Sequence, residues 1–397
     1  MAVAVTSLVL AAPVMSGGQD TATQLSLEEA RSAHDRSDRA ERRSRVGVGV
    51  ASAPGTAAGS VTAAEPAAAA AAAAPPLAES VSSTSAQPAP SATAVTAAAG
   101  ECTGPGRTVT RPVAAGTVLG SQWAASSPGR DVTYDLSGVT SNAYPATNSP
   151  FAVGTAAPAL RTCVLGGTIG GRADDSKPWQ VYHDQYNAAC VKIIALEWMQ
   201  VRGLRCDNVE DGIKPQESGV NANNARFTVS GTYLSRIRDD CMENDYTVGG
   251  LLHDSLWESC NTGISERPSA GRSWSTPSSE TLVLDHMLIG LYRTPHIENG
   301  QTVMGENALF KWSASGNRVV IRCSIFKVDE LSLNGRDSMA MPPGTVIDDS
   351  ACPDNPSTIV WLGGGDYPAW TAGMRVVADP AVWSDAVSAW KDAHEVS

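Results

Sequence analysis

Five short segments between residues 201 and 325 share one shape: an apolar residue, a polar corner, then another apolar residue. Four of them are Val229-Ser230-Gly231-Thr232-Tyr233, Leu252-His253-Asp254-Ser255-Leu256, Leu284-Asp285-His286-Met287-Leu288 and Ile321-Arg322-Cys323-Ser324-Ile325. Val201-Arg202-Gly203-Leu204 is a copy one residue shorter. Successive starts lie 28, 23, 32 and 37 residues apart. A second phrase follows the corner in three copies: Val209-Glu210-Asp211-Gly212-Ile213 overlays Arg238-Asp239-Asp240-Cys241-Met242, and both overlay Cys260-Asn261-Thr262-Gly263-Ile264. Short apolar runs at a variable spacing are the mark of a coiled solenoid. One coil cannot bury its apolar face alone, so stacked coils must make a common core. No helical stretch of ten or more residues separates the runs, which argues against a doubly wound α/β sheet. The hairpin signals Asn299-Gly300 and Asn334-Gly335 fall in or at the end of insertions, which argues against an antiparallel sandwich. Parallel strands joined by short polar corners fit best.

All ten Trp and all eight Cys lie after residue 100, so the first hundred residues hold little that could pack a core. Val3 to Met15 is apolar and uncharged, too short to span a bilayer comfortably, and leads into Ser16-Gly17-Gly18. Residues 1–18 are therefore expected to be an export signal, although basic residues ahead of the apolar run are missing. Residues 19–100, with Ala67 to Ala74 unbroken and Pro75-Pro76, Pro88 and Pro90, are expected to be a low-complexity tether. Residues 101–397 form the body. The leader carries six basic and eight acidic side chains, so −10 of the net −12 belongs to the body. That acidity argues against a nucleic-acid partner, which needs a basic face. Asp379-Pro380, followed by Val382, Trp383, Ala386, Val387 and Trp390, predicts an N-capped amphipathic helix able to close one end of the solenoid.

The Cys count is even and no C-x-x-C occurs, which suits disulfides in an oxidising compartment better than zinc or thioredoxin chemistry. Cys102 and Cys352, near the two ends of the body, are candidates for bridges to neighbouring loops. Cys206, Cys241, Cys260 and Cys323 fall in apolar stretches and are expected to act as small buried hydrophobes, giving a mixture of bridges and thiols.

The repeats resemble the right-handed parallel β-helix of the pectin-lyase-like superfamily over roughly residues 160–345, and also resemble secreted β-helix proteins of high-GC bacteria. The resemblance rests on repeat shape and on Asp211-Gly212-Ile213-Lys214-Pro215 and Asp239-Asp240-Cys241. It implies an all-β right-handed parallel β-helix, exported or held at the cell surface, monomeric, and acting on or binding polysaccharide. Asp239-Asp240-Cys241 is similar to the paired-Asp motif of polygalacturonase-type hydrolases, and Asp211 lies one coil earlier, where those enzymes place a third Asp. Their Gly-His-Gly and Arg-Ile-Lys motifs are absent; Arg236-Ile237-Arg238 looks like the latter but precedes the Asp pair. The lyases of the superfamily use acidic calcium ligands and an Arg base in an Arg-x-Pro-x-x-Arg phrase; Arg267-Pro268 with Arg272, and Arg293-Thr294-Pro295, are incomplete versions of it.

The overlay puts Asp211 beside Asp240 and Glu210 beside Asp239, about 4.8 Å apart on adjacent coils. Carboxylates so close raise one another's pKa or bind a cation. Asp211, Asp239, Asp240 and Glu243 are the candidate catalytic residues, able to divide acid and base roles at a glycosidic bond. Glu210, Asp211, Asp239 and Asp240 are the candidate calcium ligands. Lys214, Arg236, Arg238, Arg267 and Trp257 are the candidate substrate contacts, with Trp274 and Trp312 as further stacking platforms. The alternative is a non-catalytic binding or adhesin-like module. In it these Asp residues brace corners and pair with Arg236 and Arg238. His253-Asp254 and Asp285-His286 occupy one corner on neighbouring coils, where they either hold a metal or stand solvated with Asp bracing the turn. No Gly-x-Ser-x-Gly, phosphate loop or dinucleotide fingerprint occurs.

Overall fold

The computed structural model describes residues 102, 106–145, 149–217, 226–267, 278–298, 300–313, 315–331 and 341–396. The expected signal and tether, residues 1–18 and 19–100, and Trp274 lie outside them. The described chain is mostly strand, and its strands pair in parallel in one continuous, solenoid-like arrangement. The exception is one antiparallel hairpin, Thr294–Glu298 with Gln301–Gly305.

The strands stack as three parallel ladders that the chain visits in turn. Five of them frame the site: β1 (Ala189–Arg202), β2 (Asp211–Glu217), β3 (Ile237–Glu243), β4 (Gly249–Glu266) and β5 (Ala308–Trp312). The first ladder runs through the start of β1, then β2, β3, the end of β4, and β5. The second runs through the end of β1, Arg226–Ser230, the start of β4 and Arg318–Arg322, by way of Thr281–Leu291. The third includes Arg205–Asp207, Tyr233–Ser235, the middle of β4 and Ile325–Val328. β4 is long because it turns two corners and serves all three ladders.

The overlay of the corner segments is the observed register, whereas in the second phrase Cys260 pairs with Ile237 instead of Arg238 and a bulge restores the match at Asp240–Thr262. Val201 pairs with Val229, Val229 with Leu252, Leu252 with Leu284 and Leu284 with Ile321. The far ends match too: Tyr233 pairs with Leu256, Leu256 with Leu288 and Leu288 with Ile325. The corner between them needs a left-handed residue, and the same slot supplies it in each coil: Gly203, Gly231, Asp254, His286 and Cys323 all have positive φ. Gly pays no Cβ penalty there, and Asp tolerates it better than a β-branched residue would.

The core is the column inside the coils. Val191, Ile213, Met242, Ile264 and Phe310 stack in register on the first ladder and are all buried. Gly212 lies in this ladder because a Cβ would collide with the Cys241 carbonyl oxygen of the next coil. All eight Cys are bridged, as Cys102–Cys163, Cys190–Cys206, Cys241–Cys260 and Cys323–Cys352. The bridges expected at Cys102 and Cys352 are present, and the thiols expected at Cys206, Cys241, Cys260 and Cys323 are not. An apolar strand context does not separate a thiol from a half-cystine when the partner sits on an adjoining turn.

Two helices occur among the described residues: α1 (Trp179–His183) and α2 (Pro380–Ala393). α2 starts as its sequence predicts, with the Asp379 carboxylate accepting from the Ala381 N–H at 2.9 Å and Pro380 in the first turn. It does not close an end. Val387 and Trp390 pack on Tyr233, Leu256, Leu288 and Ile325, one residue from each of four consecutive coils, so the helix covers a side. No helix among the described residues is long and apolar enough to cross a membrane.

Candidate functional site

The acidic strip forms where β2 meets β3. Ile213 pairs with Met242, and Asp240 pairs with Thr262 on the following coil. The Arg238 N–H donates to the Val209 carbonyl and the Asp239 N–H to the Glu210 carbonyl, at 3.0 and 2.9 Å. The Asp240 N–H donates to Asp211 Oδ1 at 3.2 Å. Asp211 therefore lies beside Asp240, and Glu210 beside Asp239, as the overlay requires. Oxygens of Asp211, Asp239 and Asp240 come within 4.8 Å of one another.

Next to the apolar stack, Lys214 is adjacent to Ile213, and Glu243, Ser265 and Lys311 pair in register across β3, β4 and β5. Side chains alternate along a strand, so this row leaves the core on the other face. Two insertions cover that face. The segment carrying α1 reaches over it through His183, whose Nδ1 is 2.6 Å from Glu210 Oε1, and Asn187, whose Oδ1 accepts from Lys214 at 2.9 Å. Trp179 lies over the Lys311 ammonium. The hairpin Thr294–Glu298/Gln301–Gly305 adds a Gly305 carbonyl that accepts from Asn261 Nδ2 at 2.9 Å. Gln180 ties the two insertions by bonding the Ile297 N–H and carbonyl. As a result Glu210, Asp211, Asp239 and Asp240 are each at most 3% exposed. The strip is a covered cluster, not an open groove.

Burial and pairing set the charges. Burial pushes the Asp240 carboxyl up to about 6, and the neighbouring Asp239 adds to the rise. Burial would raise Asp239 as well, but Lys311 and His183 outweigh it and hold that carboxyl below its ordinary range. Lys311 Nζ lies 3.0 Å from Asp239 and 2.8 Å from Asp240. A second pair splits in the same way. Burial and the facing Glu243 push Asp211 well up. Glu243 itself is held low, against burial, by its ion pair with Lys214 and a hydrogen bond from Asp211. Further along, burial raises Asp245 and Glu266 to about 8 each. The Asp239–Asp240 and Asp211–Glu243 pairs thus each join a carboxyl raised by burial to one held ionised by a lysine, the pattern that divides acid from base.

The other predicted contacts are placed differently. Trp257 is fully buried and donates from Nε1 to Thr232 Oγ1 at 3.1 Å, so it is a core residue and not a sugar platform. Trp312 is buried edge-on against Phe310. Both aromatics lie on ladder positions: Trp257 is stacked between Leu234 and Ile289 of the adjacent coils, and Trp312 pairs with Glu266. Arg236 stands at a solvent-facing corner paired with Asp207, outside the covered cluster. Arg238 is buried, but its guanidinium is spent on the Asp174 carbonyl at 2.9 and 3.2 Å and stacks on Tyr182, so it anchors the cover. Lys214 serves Glu243 and Asn187. The Arg267 N–H donates to Asp245 at the edge of the cluster.

The expected calcium set does not suit the ion. Calcium takes six to eight oxygens at about 2.3–2.6 Å, whereas Asp239 and Asp240 converge on the Lys311 ammonium and Glu210 on His183 and the Ala188 N–H. Lys311 and His183 were not legible as site residues. Lys311 sits in Leu309-Phe310-Lys311-Trp312, which reads as an ordinary apolar strand. Extending the overlay one coil, with Phe310 below Ile264, would have put Lys311 in the row of Glu243. His183 arrives on an insertion and carries no repeat signal at all. Comparison with protein families, curated proteins and solved structures finds no match for this chain.

Proposed function

We propose that the protein is a secreted or surface-held right-handed parallel β-helix of the pectin-lyase-like kind that hydrolyses a glycosidic bond in a polysaccharide. The observation that carries this reading is the opposite poise of two adjacent carboxyls, Asp240 up to about 6 and Asp239 held low, on neighbouring positions of one strand. In the proposed reaction Asp240 donates its proton to the leaving oxygen, and Asp239 or the Asp211–Glu243 pair faces the anomeric centre or a water. Lys311, paired with both carboxyls, offsets the negative charge left when Asp240 gives up its proton. Hydrolysis is favoured over lyase chemistry because an ammonium stands where a lyase would need calcium. Four disulfides support the oxidising location.

Burial favours a second reading. A substrate reaches Asp240 only when the α1 segment and the hairpin move, so a non-catalytic module with a braced interior is the rival. A panel of acidic and neutral polysaccharides separates the two. Release of new reducing ends by the native protein, lost by about 10²-fold or more in Asp240→Asn, supports the enzyme. Equal release by Asp240→Asn removes the site assignment. Unsaturated products would move the reaction to the lyase class, and no cleavage of any polysaccharide would favour the module.

A further inference from the structure

A second cluster lies away from the strip, at the corner between the second and third ladders. His253 and Asp285 pair in register on adjacent coils, and His286 follows Asp285 in the left-handed corner position. The two imidazoles address different oxygens of one carboxylate. His253 Nδ1 is 3.3 Å from Asp285 Oδ2, and His286 Nδ1 is 2.8 Å from Asp285 Oδ1. The rings stand nearly perpendicular, 6.0 Å apart between centroids. Donor atoms of the three side chains all fall within 4.8 Å of one another.

The neighbours leave this carboxylate to the histidines. Arg322 is in register with Asp285 on the next coil but turns its Nε to Asp348 at 3.0 Å. Asp254, next to His253, accepts from Trp390 Nε1 at 3.1 Å and meets His394 Nε2 at 3.1 Å. The His253 and His286 side chains are 44% and 54% exposed, so one side of the cluster is open to solvent.

We propose that His253, Asp285 and His286 form a binding site for a divalent transition ion of the zinc class. Two imidazoles and one carboxylate are the donor set that such an ion takes, with bonds of about 2.0–2.2 Å. A tetrahedral ion with such bonds holds its donors about 3.3 Å apart, so one Asp285 oxygen and the two imidazoles, whose donor atoms already lie within 4.8 Å of one another, close on the ion by side-chain rotation alone. The backbone is already fixed by ladder pairing on both coils, so little ordering opposes binding. The fourth position faces solvent and takes water or an external oxygen ligand. The site shares no residue with the acidic strip and does not depend on its activity.

The test is calorimetric titration of Zn2+ into the untagged, chelator-treated, disulfide-intact chain, with Co2+ substitution read by visible absorption. One ion per chain at micromolar affinity, with the cobalt bands of a four-coordinate site, is expected. His253→Gln with His286→Asn should weaken binding by at least about tenfold. Asn is used at His286 because it tolerates the left-handed backbone, and far-UV CD and melting of the metal-free variant verify the fold. Asp285→Asn supplies an independent variant with the same expected loss. The proposal is overturned if the native chain takes up no Zn2+ at millimolar concentration. It is equally overturned if a folded double-His variant and Asp285→Asn both bind as the native chain does, which would put the ion elsewhere, for example at His183–Glu210–Asp239.

Discussion

Replacing Lys311 with Met tests whether the covered strip is held by charge balance. Met keeps most of the aliphatic stem and removes only the ammonium that faces Asp239 and Asp240 at 3.0 and 2.8 Å. Both carboxyls are buried, so water cannot take its place. Breaking a buried ion pair by deleting one partner costs about 3–5 kcal/mol, because the surviving charge stays uncompensated. The cost should depend on pH. In the native protein Asp240 titrates at about 6, so at pH 5 it is largely neutral and only Asp239 needs a cation. Without Lys311 the folded state retains the Asp240 proton to higher pH. A folded-state pKa raised further above the unfolded value gives stability that is present at low pH and lost as pH rises. Each unit of additional rise is worth about 1.4 kcal/mol. The variant should therefore be destabilised more at pH 7.5 than at pH 5, by about 1–2 kcal/mol. Urea unfolding of the oxidised chain, followed by Trp fluorescence and by CD, measures this where the two transitions coincide. A loss under about 1 kcal/mol at both pH values, or an equal loss at both, would refute the charge-balance argument.

Three further outcomes follow from the same structure. Glu266, raised by burial to about 8, keeps its proton in the fold at pH values where the unfolded chain has lost it, so its stabilisation fades as pH rises through 8. Glu266→Gln should flatten the decline of Tm between pH 5 and 8 by up to one proton's worth, about 1.4 kcal/mol per pH unit; an unchanged slope would count against it. Replacing both Cys241 and Cys260 by Ala opens a bridge with a sequence separation of 19 and should cost about 3 kcal/mol in urea unfolding; a loss under about 1 kcal/mol would count against the bridge. Trp257→Phe should lower stability by about 1–3 kcal/mol through the lost bond to Thr232 while leaving any glycan affinity unchanged; a selective loss of affinity would restore it as a sugar contact.

The covered strip also shows what stacking does to charge. Glu210, Asp211, Asp239, Asp240 and Glu243 each have a like neighbour one coil away, and burial pushes every one of them toward the protonated form. Two lysines from different coils oppose that, and each leaves one member of a pair ionised. Such over-acidic clusters oppose folding, and they persist where function or specificity compensates.

The sequence by itself determined the ladder. Alternation and corner shape are local properties, and because parallel coils stack like residues, lining up Val229, Leu252, Leu284 and Ile321 on paper is the same operation as pairing them in space. The polar corner was legible for the same reason, but its left-handed backbone was not, because His286 and Cys323 fill the slot as well as Gly203 and Gly231. The adjacency of Asp211 to Asp240 and of Glu210 to Asp239 followed from the ladder. Disulfide pairing, the position of α2 on a side and the burial of Trp257 did not follow, because each depends on which turn faces which across the coil. Above all, tertiary structure decided the environment of the strip. His183, Trp179 and the hairpin reach it from insertions outside the repeat, and Lys311 comes from two coils beyond Asp240. Proximity along a ladder is written in the period of the sequence. Solvent access and charge balance are set by whatever folds over the ladder, and that has no period to read.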